Sequence, residues 1–503
     1  MEDTLKLALE TIKKDKQAIV FVPSRASAEK TAEDISKLTA FSLLDLEEGI
    51  LKAVSTPTKQ CERLAKCLKK GVAFHHAGLT NKQKDLIEES FKEGKIKIIC
   101  ATPTLAAGLS LPVFRVIIKS LKRYSGNWGM DWIQVLEYLQ MAGRAGRPEY
   151  ETFGEAIVLA KNESEKQEIY ERYVCGKPEE IYSKLAVEPV LRTYLLSLIS
   201  SQIIRDEKTM QQFFSKTFWA QQFRDMRKLE GITEKMLSLL EEWGFVTISG
   251  KNDGGEIAGD FVSGKSLEKD KNADRTMQPT LLGRRVSELY LDPLTARHLL
   301  DSLANYNESK NAFSLLQMIS HTLEMRPLLR IKAKERGYVE NELVQRQEYL
   351  LREEISAFDM EYDEFLNSIK TALFFDSWIA ENKEDFLLEN FGIRPGEIRY
   401  KQETADWLLY ASEELSKIQD YKKTVRDIHK LRLQIKHGVK EELLPLLKLK
   451  GIGRIKARKL YSNNLKNLGD IKKVDLVTLG QLLGKNTAAG IKKQLGEEIK
   501  EIL

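Results

Sequence analysis

The 503-residue chain is poor in the features that mark secreted, zinc-bound or membrane-embedded proteins. Its four cysteines, Cys61, Cys67, Cys100 and Cys175, form no CxxC pair, and its six histidines are not spaced to complete a zinc site with them. They read as reduced structural thiols, and no metal site is expected in the chain itself. No apolar run approaches the ~18 residues a membrane span needs, and the N-terminal MEDTLKLALETIKKDKQ has the pattern of an amphipathic helix rather than a signal peptide. A cytoplasmic setting without a membrane partner is expected. An excess of one charge is lacking too: 79 Lys and Arg against 74 Asp and Glu leave +5. Any polyanionic partner must therefore be read from local clusters. What is present, 42% hydrophobic and 30% charged residues, describes a folded chain of several domains.

Along the first ~165 residues, short apolar runs alternate with helical stretches, the βαβ rhythm of a parallel sheet. The runs are AIVFV (Ala18–Val22), VAFH (Val72–His75), IKIICA (Ile96–Ala101), RVII (Arg115–Ile118) and AIVLA (Ala156–Ala160). Beyond Lys166 strands nearly vanish and helical periodicity dominates. The compositional break is Ser249–Met277, rich in Gly, Asp, Lys and Ser, which reads as a long loop. Within it Gly259–Ser266, GDFVSGKS, satisfies the P-loop pattern. A working P-loop needs a buried strand before it and a helix after it, so that amides converge on phosphate. Neither flank has that character, and the match reads as accidental.

The informative string is QMAGRAGRP, Gln140–Pro148. Arg144 and Arg147, three apart, share one helix face, Gly143 permits close backbone approach, and Gln140 lies one turn upstream. Such a pair can clamp a γ-phosphate across a cleft and stabilise transition-state charge. A solvated basic helix start is the bland alternative. The whole string resembles motif VI of the Ski-like branch of superfamily 2 helicases. AIVFVPSR (Ala18–Arg25), GVAFHHAGL (Gly71–Leu79) and ATPTLAAGLSLP (Ala101–Pro112) are similar, in family order, to motif IV, its adjoining signature and motif V. Together they imply a second RecA-like domain. In ATPTLAAG a buried strand ends at Thr102 and Thr104, whose hydroxyls and neighbouring amides could meet phosphates at a helix start. Gly108 would let the chain turn close to nucleotide. The resemblance assigns Thr102 to DNA phosphate; Ser110 stands where relatives often carry Asn. His75 and His76, at a strand end, suit structural roles better than base catalysis.

Between these motifs, KSLKRYSGNWGMDWI (Lys119–Ile133) centres on a turn signal and reads as a hairpin. In the archaeal DNA-repair helicases of the Hjm group, and in the helicase part of DNA polymerase theta, a hairpin here wedges the duplex open. The resemblance puts Tyr124, Trp128 and Trp132 against a terminal base pair, with Lys122 and Arg123 attracting the backbone. Core packing of the tryptophans is the alternative. Pro178–Ser201 and Thr280–Ala296 resemble that group's winged-helix domain, with the long loop as an enlarged wing. Ile393–Leu415 reads as a helix, with apolar residues at Trp407, Leu408, Ala411 and Leu415. It resembles the group's ratchet helix, which implies that Trp407 stacks on a base while Arg399, eight residues earlier on the same face, holds phosphate. Leu443–Leu465 reads as two helices around GIG, a helix–hairpin–helix pattern. Gly451 and Gly453 allow a tight turn aimed at phosphate, Ile452 plugs the core, and Arg454, Lys456 and Arg458 supply charge. Leu483–Leu495 resembles a partner hairpin.

The expected architecture is an α/β RecA-like domain (1–168) followed by mostly α domains. These are a winged helix (169–292) with its loop at 249–277, a helical ratchet bundle (293–418) and a helix–hairpin–helix tail (419–503). No DExH or DEAD string occurs. The phosphate lysine and Mg²⁺-binding acid are therefore expected from a first RecA-like domain in cis or trans, and the chain is expected not to hydrolyse ATP alone. The implied role is the C-terminal part of an ATP- and Mg²⁺-dependent 3′-to-5′ helicase acting on single-stranded and forked DNA in replication-associated repair. The alternatives are a non-catalytic DNA-junction module and an RNA helicase of the exosome-associated type.

Overall fold

A computed structural model describes residues 3–54, 57–108, 111–124, 129–146, 153–249 and 275–496. The chain divides into two compact units: Met1–Ile181 with Glu384–Tyr400, and Tyr182–Lys383 with Lys401–Leu503. The first takes in a segment distant in sequence.

The first unit holds strands β1 (Ala18–Phe21), β2 (Val72–His75), β3 (Ile98–Ala101), β4 (Arg115–Ile118), β5 (Lys122–Tyr124), β6 (Met130–Trp132) and β7 (Glu155–Val158). Five of them form a parallel sheet in the order β2-β3-β1-β4-β7. Strands covered on both faces must be apolar throughout, and every residue of β1 to β4 is buried. Arg115 is the charged exception within them. Its guanidinium meets Glu155 at 2.6 Å and Thr11 Oγ1 at 3.0 Å, so a buried cation is paired and hydrogen-bonded rather than stranded. The covering helices begin at matched caps. Ser24 caps Arg25–Ser36, Thr58 caps Lys59–Lys69, and Thr80 forms a capping box with Gln83 at Asn81–Lys92.

β5 and β6 pair antiparallel, with Lys122 opposite Trp132 and Tyr124 opposite Met130, as the hairpin pattern predicts. Trp132 takes the packing alternative. It is half-buried, 5.9 Å from the Tyr173 ring, and Lys122 Nζ lies 4.0 Å above it. Arg123 is paired with Glu137 at 3.0 Å.

Among the described residues, the second unit is helical apart from the antiparallel pair β8 (Val246–Ser249) and β9 (Thr276–Pro279). The Gly-rich stretch between them, GDFVSGKS included, lies outside the described residues. Helices Pro293–Ala304, Ala312–Ser320, Tyr362–Ile379 and Lys422–His437 follow, together with Pro395–Ile418, whose first six residues belong to the first unit. The tail has its own core of Val439, Leu443, Leu446, Leu449, Ile452, Ala457, Leu460, Leu465, Ile471, Leu479, Ala488 and Ile491. One expectation is corrected here. The arm before GIG is not a helix but two 3₁₀ turns, Glu441–Leu443 and Leu446–Lys448, because Pro445 between them has no N–H to continue an α-helical ladder. Gly484, at φ 89°, joins helices Leu476–Leu483 and Lys485–Gln494, the stretch that carries the resemblance to a partner hairpin.

Candidate functional site

In open parallel sheets ligands meet the carboxyl ends of the strands. There β3 runs into Thr102 and the short helix Thr104–Gly108. The two hydroxyls, Thr102 Oγ1 and Thr104 Oγ1, stand 2.9 Å apart, and Thr104 is exposed. Leu105 and Ala106 are buried beneath, which holds the hydroxyl pair at the surface.

The helix Val135–Ala142 carries Gln140 on its exposed side and ends at Gly143, whose N–H donates to Leu139 O at 2.8 Å. A Cβ at Gly143 would lie 3.0 Å from that carbonyl. Arg144 turns back across the sheet edge, and its Nη2 donates to the carbonyl of Ala106. The strings carrying Thr102 and Arg144 are thereby joined side chain to backbone. Arg144 Nε is buried with no partner among the described residues. A buried guanidinium donor left unpaired is costly, so an anion reaching this edge would satisfy it. Arg147, Ser110 and Trp128 lie outside the described residues; Gly108 ends its helix and Tyr124 ends β5. Among the described residues no group of three or more His, Cys, Asp or Glu side chains is placed to hold a metal ion.

The HHAGL string builds something that local reading missed. His75 Nε2 meets Glu88 at 3.0 Å. His76 is buried, its Nδ1 accepts from Gly78 N at 3.1 Å, and its Nε2 stands 3.2 Å from Glu29 Oε1, off the line of a full hydrogen bond. Burial, reinforced by the nearby Arg394 and Arg25 charges, keeps the His76 imidazole below its ordinary pKa despite Glu29. Burial alone would raise Glu29, but His76, the Arg394 charge and the Gln60 amide outweigh it and hold that carboxyl at about 2. His76 is therefore a neutral structural group.

Arg394 Nε donates to Glu29 at 3.1 Å, Arg25 pairs with Glu397, and the Gly396 N–H donates to Gly78 O at 3.1 Å. Lys59 N donates to Asp385 at 3.1 Å. The start of the helix Pro395–Ile418 is thus seated on the turn after β2. On that helix Arg399 is exposed; Trp407, two turns on, is half-buried and its Nε1 donates to Leu289 O at 3.1 Å. The readable signals were the glycines: Gly78 after the histidines and Gly396 after Arg394-Pro395. Their partnership spans more than 300 residues of sequence.

In the tail Gly451, at φ 87°, and Gly453 are exposed, and a Cβ on either would meet nothing within 4 Å. Ile452 plugs the core as the pattern predicts, at 6% exposure. Two of its cations have protein partners. Arg454 lies 5.0 Å from the Trp378 ring and donates to Asn382 O at 2.6 Å, while Arg458 pairs with Glu381 at 2.8 Å and Glu442 at 2.7 Å. Both face the Tyr362–Ile379 side, where an arginine can stack and pair at once. The exposed positive charge around the turn comes from Lys448, Lys450 and Lys459.

A model of the helicase conserved C-terminal domain matches residues 1–149, and one of archaeal helicase domain 4 matches residues 313–438. The ATP-dependent DNA helicase Hel308 of Pyrococcus horikoshii is 37% identical over 506 residues, 98% of this chain and 66% of its own length. Its namesakes in Pyrococcus abyssi and Methanococcus vannielii are each 36% identical over 507 residues, covering 98% and 95% of this chain. The chain spans 66% of the length of each of these relatives.

Proposed function

Because the chain belongs to the archaeal Hel308 family of superfamily 2 helicases, we propose that it supplies the second RecA-like motor domain and the DNA-gripping body of an ATP-driven DNA helicase. The observation that supports this best is the Arg144–Ala106 link beside the Thr102–Thr104 hydroxyl pair. It ties the phosphate-facing helix end to the strand end expected to touch DNA.

In this reading ATP sits between the carboxyl edge of the sheet and a first RecA-like domain contributed in cis or trans. Gln140, Gly143, Arg144 and Arg147 face the triphosphate, with Gly108 close to the nucleotide. The protein ligands of a nucleotide-bound Mg²⁺ would come from that other domain, where the ion would neutralise phosphate charge. Closure on ATP swings Arg144 off the Ala106 carbonyl and onto the γ-phosphate, where a guanidinium stabilises charge developing in transfer. Releasing Ala106 loosens the Thr104–Gly108 helix, so Thr102 changes its hold on the strand in step with hydrolysis. Trp407 stacks on a base with Arg399 on phosphate, β5 and β6 with Tyr124 and Trp128 part the duplex, and the Gly451–Gly453 amides receive the exiting strand. Translocation runs 3′ to 5′ on forked DNA in the cytoplasm.

The test is DNA-stimulated ATP hydrolysis with a Hel308-type first RecA-like domain present in cis or in trans. Arg144→Ala is expected to lower turnover by about 10³-fold or more while leaving the melting midpoint near that of the wild type. Full turnover in that variant would remove Arg144 from the phosphate and the motor reading with it.

A further inference from the structure

The face of helix Lys422–His437 turned away from its buried residues Thr424, Ile428, Leu431, Gln434 and Ile435 is cationic. Arg426, His429, Lys430 and Lys436 are exposed along it, and Lys440 and Lys448 follow. Arg426, Lys436, Lys440 and Lys448 have no side-chain carboxylate partner among the described residues. Lys430 pairs with Glu441 at 2.7 Å, and His429 Nδ1 lies 3.7 Å from Glu413.

This face is not a plain solvated stripe. Leu433 interrupts it, half-buried, and the two 3₁₀ turns bring Leu444 and Leu447 opposite. Together they floor a groove of about 540 Å³, walled by His429, Lys430, His437, Pro445 and Lys448 and by one carboxylate, Glu441. That lies within the ~300–1,000 Å³ of ordinary ligand clefts. Its corner is fixed from behind. Gly438, at φ 64°, lies so close to the Trp378 indole that a Cβ would come within 2.6 Å of it, and Trp378 Nε1 donates to Ile435 O at 2.7 Å. Burial, with Lys436 beside it, holds the His437 imidazole below its ordinary pKa, so it offers a neutral ring to stack upon.

We propose that this groove is a binding site for single-stranded nucleic acid, in which a base lies on Leu433, Leu444 and Leu447 between the imidazoles while Lys436, Lys440 and Lys448 hold the adjoining phosphates. An apolar floor with a cationic rim matches a nucleotide's two halves. The direction is set by Lys448, only three residues before the exposed Gly451–Gly453 turn, so a strand on that turn continues into the groove. Glu441 repels it, and binding displaces Glu441 from Lys430. The assignment deepens the helicase reading and rests on it.

Fluorescence anisotropy of the full chain with a labelled oligothymidylate, across a salt series, tests it. The double variant Lys436→Glu, Lys448→Glu is expected to weaken binding at least tenfold and to flatten the log–log salt slope by about 1.4, which is about 0.7 for each of two phosphates let go by the protein on a single strand. Leu433→Gln is expected to weaken binding about fivefold with the slope unchanged. Glu441→Gln is expected to tighten it a fewfold, a gain that misfolding does not produce. Wild-type affinity and slope in all these variants, with Trp407→Ala alone losing affinity, would overturn the groove and leave the helicase reading standing. A wild-type chain that binds no single-stranded DNA would overturn both.

Discussion

Gly396→Ala tests the seat of the long helix with the smallest possible change, one methyl group. A Cβ at that position would come within 2.4 Å of Leu79 O, 2.6 Å of Ala77 O and 2.9 Å of Gly78 C. All three neighbours are backbone, so none can rotate aside. Either the start of the helix lifts by several tenths of an ångström, or the turn after β2 deforms. Lifting stretches the Gly396 N–H bond to Gly78 and pulls Arg394 from Glu29, 3.1 Å away. Overpacking of this kind costs about 1–3 kcal/mol. For a unit of this size each kcal/mol lowers the melting midpoint by about 2–4 °C, so a fall of about 4–8 °C is expected for a cost of about 2 kcal/mol. Calorimetry reads the midpoint, and hydrogen exchange by mass spectrometry reads the location. Amides of Gly396–Tyr400 and of Gly78–Leu79 should exchange faster, while those of the tail helix Arg454–Ser462 should keep their rates. An unchanged midpoint with unchanged exchange at Gly396 would refute the close seating.

Three further outcomes are expected. Glu29, held at about 2 against an ordinary 4.5, contributes stability that is complete above about 4.5 and is lost as pH falls toward 2; Glu29→Gln should flatten the acid limb of a melting series over that window. With Cys175 exposed, Cys61, Cys67 and Cys100 buried, and burial pushing Cys67 up to about 12, a thiol reagent should modify one cysteine quickly in the native chain and four after denaturation. Gly231 lies inside helix Met226–Glu242 with open space where a Cβ would go, so Gly231→Ala should raise stability by about 0.5–1 kcal/mol in a denaturant titration.

The sheet was legible because strands buried on both faces leave no room for polar residues; AIVF, VAFH, IICA and RVII appear as runs whatever surrounds them. The hairpin and the long helix were legible for similar reasons, a turn signal and an apolar face. Side-chain destinations were not. Arg394 reaches Glu29 across 365 positions, and no local pattern encodes that distance. Trp132 and Arg454 carry chemistry suited to nucleic acid and equally to packing, and only the neighbours, Tyr173 in one case and Trp378 in the other, decide. The helical reading of Leu443–Lys448 failed on Pro445, whose ring outweighs the leucines around it.

The tail's glycine turn and its fastenings occupy different chemistry. Exposed glycines form the turn, whereas Arg454 and Arg458 spend their charge on mounting. If the turn takes the strand as proposed, such a division lets the two properties vary independently: exchanging Lys448, Lys450 or Lys459 would retune the hold without loosening the bolts.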